Sequence, residues 1–146
     1  MTCALWPIQV DIEVDELLSS WLIRTSLENG SDPMTWTWYF WGKWRAWTRD
    51  FDRYCPDDKL KCISFGRYTL EELRAATLQH TLMNITHTKL EPNSKWPWLI
   101  PQGTRNRDRS IGIRFCPECL KEDPAYFRRS WRLAWNHSCP IHNIVL

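Results

Sequence analysis

Cys116 and Cys119 stand two residues apart, and so do Cys139 and His142, with nineteen residues between the pairs. Two residues between ligands let one tight turn aim both side chains at a single ion. Two such pairs supply the four ligands of a closed tetrahedral Zn2+ site. Pro117 and Pro140 follow the first ligand of each pair and stiffen its turn. A redox Cys-x-x-Cys at 116–119 is a rival reading, and two unrelated pairs are another. Neither accounts for a Cys-x-x-His downstream. The expected cofactor is one structural Zn2+ ion.

A full set of four ligands leaves no position for water, so structure rather than catalysis is expected of the metal. A metalloenzyme would need an open position and a base, for which Glu118 is the candidate. An acid inside such a turn is more often a solvated turn residue. His137 and His87 are spare histidines without the pair spacing, and Cys3, Cys55 and Cys62 read as free thiols. No phosphate-binding Gly-rich loop, nucleophile elbow or zincin motif is present. The chain is therefore not expected to be an enzyme.

A second group of residues could bind rather than react. Five of the eleven tryptophans, Trp36, Trp38, Trp41, Trp44 and Trp47, lie among Lys43, Arg45 and Arg49. Rings interleaved with bases can stack nucleobases and pair phosphates. On a helix the stretch divides. Trp36, Phe40, Trp44 and Trp47 share one face, expected to pack on Trp21 and Leu22. Trp38, Trp41 and Arg45 take the opposite face, a candidate partner-binding strip. Gly42 weakens that helix, Lys43 falls toward its apolar side, and the alternation Thr35–Trp38 leaves a short strand open. A third group, Arg105, Arg107 and Arg109, could contact nucleic-acid phosphates; a solvated loop is the plainer reading of that run.

The elements that must position these groups are mostly helical. The stretch from Val14 to Gly30 reads as a helix, with Asp15 as N-cap, Glu16 in the first turn and Asn29-Gly30 as the stop. Leu18, Trp21, Leu22 and Thr25 form its apolar face. Asp32 and Pro33 open a second helix at once, which makes a helix-turn-helix-like pair. Thr69 and Glu72 form a capping box for a third, with Leu70, Leu73, Thr77 and Leu78 as its stripe. Residues 50–68 are turn-rich and read as loop. The fold class expected is mainly α: an N-terminal helical domain over 1–91, a linker over 92–112 packed down by Trp96 and Trp98, and a zinc-binding module over 113–146.

Charge is unevenly spread over the 146 residues. Residues 1–35 carry one base and six acids, whereas residues 103–135 carry eight bases and four acids. Such polarity suits a chain that meets phosphate at one end and a basic partner at the other, although uneven scatter by chance gives the same picture. The acidic start lacks the basic region of a signal peptide, and no apolar run reaches membrane-span length. A cytoplasmic, prokaryotic protein without membrane contact is expected, and with it reduced cysteines.

The N-terminal "DELLSSWLIRTSLENG" together with "FCPECLKEDPAYFRRSWRLAWNHSCPIH" resembles the TniQ family of Tn7-like transposon targeting proteins. The likeness covers both ends, about half of the chain. It implies an N-terminal helix-turn-helix domain followed by zinc-binding motifs, and an adaptor without known catalysis. The family couples a target-recognising element to the AAA+ regulator TnsC. In CRISPR-associated transposons that element is an RNA-guided effector such as Cascade, with its guide RNA. Many relatives continue with a second Cys-x-x-Cys motif, and longer ones read an attachment site directly. One site and four residues after His142 imply the short, CRISPR-associated form, in which sequence reading is left to guide pairing. A stand-alone DNA- or RNA-binding zinc protein is the alternative.

Overall fold

A computed structural model of the chain describes residues 6–86, 96–101 and 113–146. Arg105, Arg107, Arg109, His87, Cys3 and most of the 92–112 linker lie outside the described residues. The described part is mainly helical and contains no strand. No helix among the described residues is long and apolar enough to cross a membrane.

Helix α1 spans Leu18–Glu28 and α2 spans Pro33–Trp41. The turn between them forms as the sequence predicts. Gly30 takes φ 71°, its N–H reaches Leu27 O at 2.9 Å, and Ser31 N–H reaches Ser26 O at 2.9 Å. A left-handed residue there lets the last carbonyls of α1 find donors, and glycine adopts it without strain. Asp32 caps α2 by accepting from Thr35 N–H at 2.9 Å, with Pro33 in the first turn.

The start of α1 differs from expectation. Asp15 is not its N-cap: it has φ 65°, and Leu17 holds the cap position without a side-chain bond. The free donors of the first turn are satisfied from far along the chain. Ser19 N–H and Oγ both donate to the Asp52 carboxylate, at 2.8 and 2.5 Å. Leu18 N–H donates to Ala76 O at 2.9 Å, and Leu17 N–H to Phe127 O at 2.9 Å. Glu16 precedes the helix and is buried, paired with Arg24 at 2.6 Å and accepting from Ser20 Oγ at 2.9 Å.

The stretch read as loop contains helix α3, Asp57–Cys62, with two acids in its first turn and buried Leu60 facing the core. The third expected helix is two. Its capping box at Thr69 and Glu72 forms and opens α4, Leu70–Ala75. The chain then breaks, and α5 runs Leu78–Thr86. Leu78 N–H is taken by Asp52 O at 2.7 Å, a partner outside the helix. Leu73, Thr77 and Leu78 are all fully buried, as the stripe requires.

Helix α2 ends at Gly42, φ 55°, so the tryptophan stretch is not one helix. Trp36, Phe40, Trp44 and Trp47 nevertheless pack against the main core with Trp6, Trp21 and Leu22. Trp41 does not join a strip with Trp38 and Arg45. It is 4% exposed, donates Nε1–H to Lys59 O at 3.0 Å, and meets Trp44 edge-on at 4.9 Å. Because the helix stops there, Arg45 lies beyond it in an exposed turn. Trp38 remains outside, 60% exposed, beside Met34 and Tyr39.

Residues 113–146 meet the helices along a seam that is part polar and part apolar. Ser20 Oγ accepts from Phe127 N–H at 2.9 Å, and Asp15 accepts from Ser130 Oγ at 2.6 Å. Arg132, 2% exposed, places its guanidinium against the Asp50 carboxylate and donates Nε–H to Ile100 O at 2.9 Å. Leu17, Leu78 and Leu99 fill the seam with Trp96, Trp98 and Phe127.

Candidate metal centre

Each half of the centre is a turn held by its own backbone. In the first, Leu120 N–H reaches Cys116 O at 3.2 Å and a short 3₁₀ turn covers Cys119–Lys121. In the second, residues 138 and 145 bridge, Cys139 N–H reaches Ile144 O at 2.8 Å and Asn143 N–H reaches Cys139 O at 2.9 Å. Asn143 supplies the left-handed residue that turns the chain, φ 54°. Both turns therefore point their ligands inward, as the two-residue spacing predicts.

The four side chains meet. The Sγ atoms of Cys116, Cys119 and Cys139 and a ring nitrogen of His142 all lie within 4.8 Å of one another. Cys119 Sγ and Cys139 Sγ are 3.6 Å apart. His142 Nδ1 stands 3.5, 3.4 and 3.7 Å from the sulfurs of Cys116, Cys119 and Cys139. A tetrahedral Zn2+ with its usual bond lengths sets ligand sulfurs about 3.8 Å apart and sulfur–nitrogen pairs about 3.6 Å apart. The donor set thus fits a four-coordinate ion in size as well as in chemistry.

The sulfurs are buried, and Trp131, Leu120, Phe127, Ile144 and Leu146 pack around them. Burial, with the thiols of Cys139 and Cys116 alongside, pushes Cys119 up to about 12. Burial also opposes ionisation of Cys139, but the N–H groups of His142 and Ile141 and the His142 ring bring it down to about 6. A cation among these sulfurs would offset the burial, and the neighbouring thiols, that hold Cys119 protonated. Glu118 is not one of the four clustered residues; its carboxylate accepts from Lys121 Nζ at 2.7 Å. His137 is exposed and outside the cluster, and Cys55 is a buried free thiol that burial pushes up. Cys62 is a free, exposed thiol.

Trp131 has no place among the ligands read from spacing, yet it is 1% exposed and lies directly against the cysteines. Its signal was the tryptophan inside the block between the two ligand pairs. Arg132 beside it locks that block to Asp50.

A small helical protein that opens with a tightly joined helix pair and closes on a Cys3His knuckle site is the class these features define. Within it, the sequence profile described as TniQ matches residues 7–146, nearly the whole chain. The chain belongs to the TniQ family, and so to the proteins associated with transposition. Neither the curated proteins nor the solved structures contain a match to it.

Proposed function

We propose that this chain is a non-catalytic adaptor for transposon target selection, linking an RNA-guided CRISPR effector of Cascade type to the AAA+ regulator TnsC. The ion in its knuckle site is Zn2+ in a structural role, since three thiols and an imidazole at tetrahedral spacing are its preferred donors and saturate it.

One observation carries the reading: what α2 shows to the outside. In a helix-turn-helix reader the helix after the turn presents Arg, Lys, Asn or Gln to base edges. Here the exposed residues of α2 are Met34, Thr35, Trp38 and Tyr39. An apolar aromatic face without charge suits a protein partner, where tryptophan and tyrosine anchor binding. Trp38 is the residue we place at its centre, with Arg45, exposed beyond the end of α2, as a further contact.

The test is co-purification of the zinc-loaded chain with TnsC and with the assembled effector, beside a titration with free duplex DNA. Capture of both proteins, lost in Trp38→Ala while the fold is kept, supports the adaptor. Tight binding to free DNA that weakens steeply with salt, without capture of either protein, would instead establish the stand-alone reader.

A further inference from the structure

We propose that Glu122 is a positioning residue of the metal centre, holding His142 in the tautomer and orientation that present Nδ1 to the ion. His142 is turned so that Nδ1 faces the three sulfurs, 3.4 to 3.7 Å away. Its other nitrogen, Nε2, faces the Glu122 carboxylate with an N–O distance of 3.3 Å. A neutral imidazole carries one proton. A metal on Nδ1 requires that proton on Nε2, where a carboxylate 3.3 Å away is placed to accept it.

Glu122 is placed for this by the first knuckle. It closes the 3₁₀ turn Cys119–Lys121, and its N–H reaches Cys119 O at 3.3 Å. The same turn thus supplies a sulfur to the ion and a carboxylate to the opposite side of the histidine. Glu118 is nearby but engaged with Lys121. Among the described residues, the acid paired with His142 is Glu122.

The device matters because histidine is the open corner of the site. The three cysteines are at most 3% exposed, whereas the His142 side chain is 25% exposed. Water reaches this ligand first, so a bound ion would be least protected at this ring. An acceptor on Nε2 raises the basicity of Nδ1 and resists rotation of the ring away from the metal.

The inference rests on the four residues binding a metal, and one experiment separates the two. The full-length chain is titrated with Zn2+ against a competing chelator, as wild type, Glu122→Ala, Glu122→Gln and Glu118→Gln. Glu122→Ala is expected to weaken Zn2+ binding about tenfold, the lower end for loss of such a partner because the carboxylate is half exposed. Glu122→Gln keeps an acceptor without the charge and falls between. Glu118→Gln stays within about twofold of wild type, since its carboxylate is paired with Lys121 and not with Nε2. Nitrogen NMR of the zinc form adds a readout that packing alone would not move: the His142 Nε2–H proton exchanges faster with water in Glu122→Ala. Equal affinity and equal exchange in Glu122→Ala would overturn the proposal, as would an equal loss in Glu118→Gln. A wild type that takes up no zinc would overturn the metal reading itself.

Discussion

Arg132→Ala tests whether residues 113–146 are tied to the helices by the pair seen in the seam. Arg132 is 2% exposed and the Asp50 side chain 11%. The guanidinium meets both carboxylate oxygens and also donates to Ile100 O. Removing it leaves a carboxylate and a carbonyl in a site built around a cation. Breaking one side of a buried pair costs about 3–5 kcal/mol, because the remaining charge is desolvated without its partner. Asp50 and Arg132 each have further interactions, which hold the expected cost near the middle of that range, about 4 kcal/mol. Against a total stability of about 5–15 kcal/mol that is a large share. Urea unfolding of the zinc-saturated protein, followed by tryptophan fluorescence and by far-ultraviolet circular dichroism, measures it. With a typical slope for this size the midpoint falls by about 2 M. Arg132→Lys, which keeps charge but not the planar fork, lies between. A midpoint unchanged within about 0.3 M in Arg132→Ala would refute the reasoning, since it would mean the pair contributes no more than an exposed one.

Cys116→Ser or His142→Ala is expected to abolish stoichiometric zinc, measured by elemental analysis after gel filtration, and to lower the thermal midpoint; one equivalent retained with normal melting in both would remove the assignment. Trp41→Ala empties a core position and is expected to cost about 3–5 kcal/mol in urea, whereas Trp38→Ala stays within about 1 kcal/mol. Similar losses at both positions would contradict their burial. Asp52, raised to about 6 by burial against the opposing Ser19 bonds, makes stability depend on pH. Its folded form keeps a proton that the unfolded form releases from about pH 4 upward, so stability falls as pH rises through about 6. The linkage over that interval amounts to about 3 kcal/mol. The stability difference between wild type and Asp52→Asn should therefore shift against wild type between about pH 4.5 and 7.5, and parallel curves would count against it.

Features set by neighbours in sequence were readable in advance. Cys116 converges with Cys119, and Cys139 with His142, because each pair is one turn, and a turn is local; that the two pairs meet follows from four donors suited to one ion. Asp32 and the Thr69–Glu72 box are caps whose donor and acceptor lie three residues apart. The misreadings share the opposite cause. Asp15 looks like a cap only while Asp52, thirty-three residues beyond Ser19, is out of view. Helix α3 has six residues, too few to show a period. Trp41 falls on the outer side of a helix continued to Arg45, but Gly42 ends that helix and the Lys59 carbonyl draws the indole inward. Pattern reading assumes that an element continues and that its partners are near, and each of these sites violates one of the two.

The metal centre and the exposed face of α2 are linked by the way α1 begins. Trp131 packs on the cysteines, and Phe127 belongs both to that cluster and to the seam. The segment they delimit offers Phe127 O to Leu17 N–H and takes Ser20 Oγ and Asp15 as acceptors. These bonds flank the cap position of α1, while its first-turn donors go to Ala76 and Asp52, so the segment beside the knuckle and the helical part together seat the start of α1. From α1 the chain passes through a four-residue turn, Asn29 to Asp32, with one left-handed glycine into α2, whose tilt is thereby fixed by where α1 lies. Hydrogen bonds of this kind are directional, so they fix one arrangement of a seam that its apolar contacts alone would leave freer to slide. The residues packed around the Cys3His cluster can in this way set the direction in which Trp38 is presented.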